Sequence, residues 1–324
     1  MPIVVNSNAS ATSASMNLSR ANDSLRKSLA RLSSGNRINS PADDAGGLAV
    51  AYKLNSKLNR SHAVVQNAQN SLSYLQVQDS GLQTVGKILD RMGELRTMSQ
   101  DITKNTQDIE NYSKEFIELQ SQLNQVKQEK FNGISLFSSQ GSTAAGTLIQ
   151  ETGVQVTTAG GQVVTYEKYG RTLITHPSGV GTMGSISINV VNLQFVLSIG
   201  TLATSGTNNV DLGGLDTTAG TGGINADGFI SSILDVNVSQ FTEAIERLAD
   251  MRAENGAEQN RVMNTIDLLQ TNITNLEAAH GRIMDADIAL ESTRFARHNV
   301  LVQASAAMTA QANQLTNVAL QLLG

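Results

Sequence analysis

Apolar side chains recur at alternating steps of three and four residues over two long stretches of the chain. Val65, Ala68, Leu72, Leu75, Asp79, Leu82, Gly86, Leu89, Met92, Arg96 and Ser99 follow this rhythm in the first stretch. Phe241, Ile245, Leu248, Arg252, Asn255, Gln259, Val262, Ile266, Leu269, Ile273, Leu276, His280 and Ile283 follow it in the second. A repeat of this length puts one stripe on one side of a long helix, and it predicts either a coiled-coil seam or an ordinary helical bundle core. Periodicity alone leaves both open. Where the strict seam turns polar, Val85, Ile88, Leu95 and Met98 widen the stripe.

The two ends of the chain carry shorter stripes of the same kind. Ala14, Leu18, Ala21, Leu25, then Ser28 or Leu29, and Leu32 form one; Leu301, Ala304, Met308, Gln311, Leu315, Val318 and Leu322 form the other. No residue after Arg297 is charged. Chain ends are ordinarily frayed, so an uncharged amphipathic end needs a surface to cover it. That surface is the opposite terminus, the same ends of neighbouring copies, or lipid. An interfacial membrane helix carries basic residues and aromatic anchors, and residues 300–324 hold neither, so protein surfaces are favoured.

Between the first terminal stripe and the first long seam lies SSGNRINSPADDAGGLA, residues 33–49. Ser40-Pro41-Ala42-Asp43 fits a helix start, with Ser40 as cap, Pro41 where its missing N–H costs nothing, and Asp43 as the carboxylate that completes a capping box. Asp43 and Asp44 also face the positive end of the helix dipole. Gly46 and Gly47 each cost about 1 kcal/mol relative to Ala in a helix, which predicts close approach by another helix. A plain turn accounts for the cap but not for the length and polarity of the break. A joint between two helical layers accounts for both.

Composition separates a middle zone from the helical ones. Residues 140–234 hold 17 of the 27 glycines, and short apolar runs such as GQVVTYEKYG and SISINVVNLQFVLSI alternate there with glycine clusters, predicting an antiparallel β insert. The net charge of −5, with Lys and Arg scattered, argues against nucleic acid as the main partner. No apolar run reaches the length of a membrane span, so no membrane insertion is expected. The first nineteen residues lack charged side chains and a continuous apolar core, which argues against a cleaved secretory signal. The absence of cysteine excludes disulfides and thiolate metal sites, and is compatible with life outside the cell. His62, His176, His280 and His298 stand alone, without a zinc-protease, nucleophile-elbow or phosphate-loop motif, so neither catalysis nor a cofactor or metal is expected.

Several ordered motifs resemble those of bacterial flagellins. SRANDSLRKSLARLSSGNRINSPADDAGGLAVAYKLNSKL is similar to the family's N-terminal signature, a leucine-striped helix running into SSG-x-RIN and DDAAGLA. RIMDADIALESTRFARHNVLVQASAAMTAQANQLTNVALQLL resembles its closing segment, RAENGAEQNR its RA-x-LGA-x-QNR, and FNGISLF its QFNG turn. Gly46 stands where the family has Ala, Asn255 where it has Leu, and the middle zone matches no pattern.

The resemblance implies a mainly α fold, in which the N- and C-terminal regions form a long helical hairpin or coiled-coil bundle that carries a smaller β-rich inserted outer domain. The expected layers are an inner coiled-coil domain (1–40 and 286–324), a helical second layer (41–140 and 235–285) and a variable outer domain (141–234). The implied function is that of a self-assembling subunit of the flagellar filament, exported unfolded by the flagellar type III apparatus and located outside the cell. Leu18, Leu25, Leu32, Leu301, Met308, Leu315, Val318 and Leu322 are the expected inner-layer contacts, with Arg37, Asn39, Ser40, Asp43 and Asp44 pinning the spoke between layers. Implied partners are further copies of the chain, a filament cap, hook-junction proteins and a cytoplasmic export chaperone. A candidate patch for an animal innate immune receptor, L-Q-R-x-R-E-L in the family, falls on Leu89 to Leu95; Arg91, Glu94 and Leu95 match it while Asp90 and Gly93 depart, and an ordinary helix face is the alternative. A hook–filament junction protein is the alternative function, and a filament subunit with an adhesive or enzymatic outer domain a more distant one.

Overall fold

The computed structural model describes residues 8–137, 148–157, 163–199, 210–211, 230 and 232–323. The chain is mainly α, with a smaller β-rich insert, and forms two compact units: residues 1–59 with 272–324, and residues 60–271. Two long helices, α2 (Ala45–Met98) and α5 (Val238–Met284), contribute to both.

The terminal unit is built on α1 (Ala9–Ser34) packed against α6 (Ile288–Leu323). They run antiparallel. Asn8 caps α1 by accepting from the Ala11 N–H and donates Nδ2 to the Ala312 carbonyl at 2.9 Å; at the other end the Ala286 N–H donates to the Gly35 carbonyl, also at 2.9 Å. Along α1 the shielded positions are Ala11, Ala14, Leu18, Ala21, Leu25, Ser28 and Leu32. This is the expected stripe, with Ser28 inside and Leu29 exposed, so small side chains set the close helix approach.

In the second unit α2, α3 (Thr106–Lys127) and α5 form a bundle whose core holds Leu75, Leu82, Leu89, Met92, Phe116, Leu123 and Phe241. Phe116 and Phe241 meet edge to face with centroids 6.2 Å apart. An Asn105–Asp108 capping box starts α3. The first seam and the second as far as Leu269 lie in this bundle, while Ile273, Leu276, His280 and Ile283 of the second belong to the terminal unit; Met98, expected to widen the first, is exposed.

After α3 the chain turns through a hairpin of β1 (Lys130–Phe131) and β2 (Ile134–Ser135). Asn132 and Gly133 both take positive φ, 50° and 79°, as a two-residue primed turn requires. The insert contains the antiparallel sheet β3 (Leu148–Thr157), β4 (Val163–Ile174) and β5 (Ser185–Val190), in that order, and a β6 (Ser198–Ile199) and β7 (Val210–Asp211) pair. The apolar run after β5 is not one strand: Leu193–Leu197 forms a helical turn, α4, before β6. Much of the glycine-rich stretch from 200 to 229 lies outside the described residues.

Candidate functional site

The polar break after α1 is a closed network within the terminal unit. Gly35 ends α1 by donating its N–H to the Arg31 carbonyl. The Arg37 N–H then donates to the Met284 carbonyl, and its guanidinium donates to the Ile283 carbonyl at 2.8 and 3.1 Å. These are last-turn carbonyls of α5 with no helical partner of their own, so Arg37 acts as a C-terminal cap supplied from another segment. Asn39 donates Nδ2 to the Ala30 carbonyl, and Ile38 between the two polar pins is buried.

The helix start differs from the expected one. Ser40 does not cap α2: residues 41–43 form a tight turn, and the cap is Asp44, whose Oδ1 accepts from the Gly47 N–H at 2.8 Å. Asp43 instead accepts from the Asn39 and Ser40 N–H groups and lies 3.9 Å from Arg31. Gly47 is needed here because a Cβ would stand 2.4 Å from Asp44 Oδ2 and 3.1 Å from Ile38 Cδ1. The close approach therefore comes from the break itself and not from a second helix.

Burial would raise the Asp43 carboxyl, but the Ser40 and Asn39 N–H groups, then Arg31, outweigh it and hold its pKa below the ordinary carboxylate range. A depressed carboxylate stabilises the fold above its unfolded pKa and loses that contribution as pH falls through the folded value. The Ser40 amide resonance is therefore expected to titrate with a midpoint below about 3.9, and Asp43→Asn to abolish that titration. A midpoint at or above the unfolded value would contradict the geometry.

On α6 the positions shielded by α1 are Glu291, Phe295, His298, Val302, Ser305, Thr309 and Ala312. The predicted stripe is offset from these by one residue. Leu301 and Met308 stand exposed at 46% and 65%, on a flank of α6 about 100° round from the α1 contact. Leu18, Leu25 and Leu32 are in the α1–α6 seam; Leu315, Val318 and Leu322 lie in α6 beyond the side chains described. Met16 and Leu29 add exposed apolar surface on α1.

Of the receptor-patch residues, Leu95 is fully buried in the bundle, whereas Arg91 and Glu94 reach the surface. Arg91 pairs there with Glu115 at 2.7 Å and Glu94 at 3.1 Å, and these hydrogen bonds, Glu115 first, raise its pKa.

A second polar cluster escapes a reading by motif. Asn255 is buried and donates Nδ2 to Gln78 Oε1 at 2.6 Å, while Gln259 donates to Asn255 Oδ1 at 2.6 Å. Gln78, also buried, donates Nε2 to the Leu136 carbonyl at 2.8 Å. Asn189 on β5 is held by Glu258 and Glu254 of α5. One turn along, the polar seam positions Arg252 and Asp79 form an ion pair at 2.9 Å. The polar interruptions of the two seams thus face each other and fix their register. The available signal was complementarity between the interruptions, opposite charges at 79 and 252 and amides at 78 and 255.

Residues 5–142 match the bacterial flagellin N-terminal helical region, and residues 238–323 match the C-terminal helical region. A flagellar filament 33 kDa core protein of Treponema phagedenis is 30% identical over 325 residues, covering 99% of this chain and 100% of that protein. The chain belongs to the bacterial flagellin family. A flagellin of Bacillus subtilis (strain 168) is likewise 30% identical over 326 residues, with 98% of this chain and 99% of that protein covered. Among solved structures, a putative flagellar hook-associated protein from Vibrio parahaemolyticus aligns with a TM-score of 0.53 over 75% of this flagellin and 100% of that chain; at 17% identity the likeness is one of fold. This flagellin is a structural subunit of the flagellar filament. Its Asn255 departs from the family's leucine, and Gln78 across the seam supplies the partner that a buried amide requires.

Proposed function

We propose that α1 and α6 form the inner layer of an extracellular filament, and that the exposed side of α6 meets neighbouring copies. The observation that carries this is the uncovered row of Leu301 and Met308 on a helix whose neighbouring face is already taken by α1. Of the three surfaces that could cover that row, the opposite terminus is excluded, since α1 packs one residue out of phase with it. Lipid lacks basic and aromatic anchors there. Neighbouring copies remain, and a contact between unlike surfaces that does not close gives an open helical fibre.

Residues 33–47 are then the spoke between the inner layer and the helical second layer, and residues 141–234 the outer domain. Arg37 holds that spoke to α5, Asn39 and Asp43 hold it to α1, and Asp44 caps α2 at its far end. Ordering the ends costs about 1–2 kcal/mol per residue, which contacts with many copies offset. The chain leaves the cell unfolded through the flagellar type III route. A filament cap, hook-junction proteins and an export chaperone complete its partners, and the subunit has no catalytic activity. Recognition by an animal receptor would rest on Arg91 and Glu94, because Leu95 is in the core.

Trypsin tests the inner-layer reading. No lysine or arginine follows Arg297, so one cut there releases the whole uncharged end. Cuts up to Arg37 and at Arg297 are expected to be faster in the free subunit, where α1 and α6 hold only each other, than in assembled filaments. Equal cleavage rates in the two states would place the ends outside the contacts.

A further inference from the structure

The second unit contains a cavity of about 580 Å³ between α2, the β1–β2 hairpin and the β4–β5 sheet. Tyr74, Phe131, Ile134, Leu173 and Ile188 give it apolar walls, and Arg171 supplies a cation. The Arg171 Nε is buried and has no hydrogen-bond partner among the described residues, although the guanidinium reaches the Tyr74 hydroxyl. A buried N–H of a charged group without an acceptor is costly, so the site is incomplete as the single chain presents it. An apolar side chain with an adjacent carboxylate would cover part of these walls and supply the acceptor.

Such a group exists at the other end of the same unit. Ile102, in the turn between α2 and α3, is 100% exposed, and its neighbour Asp101 is exposed and acidic. From Tyr74 to Met98 α2 runs about 36 Å, so a chain cannot fill its own cavity. Knob and cavity lie at separate places along one helical rod, the arrangement that stacks identical units head to tail without closure.

We infer that Ile102 of one subunit inserts into the Tyr74–Phe131–Arg171 cavity of the next, with the Asp101 carboxylate accepting from the Arg171 guanidinium. This rests on the filament reading and names a contact within it. The apolar walls take the isoleucine, and the Nε receives the acceptor that it lacks among the described residues.

The absence of native cysteine makes the test direct. Gln100→Cys with Asn70→Cys puts one thiol beside the knob and one on the cavity rim, both at exposed positions. Oxidised filaments are expected to give a ladder of covalent multimers on a non-reducing gel, since a disulfide needs Cα atoms about 4.4–6.8 Å apart, and the free subunit none. Ile102→Asp should leave the subunit's melting unchanged, because the side chain touches nothing there, while raising the concentration needed for elongation by at least about tenfold. Filaments that form without a ladder and elongate normally as Ile102→Asp would overturn the contact and leave the filament role standing. Protection of the Asn70→Cys thiol from maleimide in filaments that give no ladder would mean another occupant, and would equally overturn it. Failure of the unaltered chain to polymerise under seeding would remove the assembly reading and this contact together.

Discussion

Gln78→Leu is expected to destabilise the second unit by about 2–4 kcal/mol, measured by urea unfolding followed through helix circular dichroism. The substitution keeps an apolar volume but takes a partner from each of two groups. Asn255 Nδ2 loses its acceptor, and the Leu136 carbonyl loses its 2.8 Å donor and keeps only the longer 3.4 Å bond from the Tyr74 hydroxyl. Asn255→Leu alone should also destabilise, because Gln78 Oε1 then faces a methyl group. The double variant should recover much of the loss, since two apolar side chains can replace a buried amide pair at little net cost. A coupling free energy near zero in that cycle would mean that the amides do not act as a pair and that some other contact sets the register of α2 against α5.

Leu301→Asp together with Met308→Asp should act on assembly and not on folding. Both side chains are exposed in the single chain, so the melting of the free subunit should stay within about 0.5 kcal/mol of the parent. Removing two apolar side chains from a buried contact, and putting carboxylates there, should raise the critical concentration for polymerisation at least about a hundredfold. Val302→Asp is the informative contrast, because Val302 is on the side shielded by α1. It should disturb the α1–α6 pair already in the free subunit. If the two sets of variants behaved alike, the division of α6 into an inner and an outer side would be wrong.

The terminal helices show where the sequence was legible. The α1 stripe came out residue for residue, because its other face is charged and only one side can be buried. On α6 the stripe was equally clear, yet it lies one residue out of phase with the positions that face α1, about 100° round the helix. A helix with no charge beyond Arg297 has two apolar sides, and periodicity does not say which stays within the chain. The start of α2 was misplaced for a local reason: Ser40-Pro41-Ala42-Asp43 fits a capping box and also the tight turn that the chain adopts, with Asp44 as a second competent cap. The Gln78–Asn255–Gln259 cluster went unseen because Gln78 lies beside the predicted seam position Asp79, far in sequence from Asn255 and Gln259, which looked like blemishes in theirs. In the insert, the run from 185 to 199 suited an antiparallel β insert, and within it Leu193–Leu197 forms a helical turn. Apolar runs of that length do not distinguish the two without flanking signals.

The central claim is that the uncharged end of α6 joins subunits into a filament. Electron microscopy of the full chain beside a version ending at residue 299, both seeded under the same conditions, tests it most directly. Long uniform filaments from the full chain and none from the truncated one are the predicted result. Filaments of equal length from both would contradict the account, because the second unit would then suffice for assembly and the exposed row at Leu301 and Met308 would have no part in it.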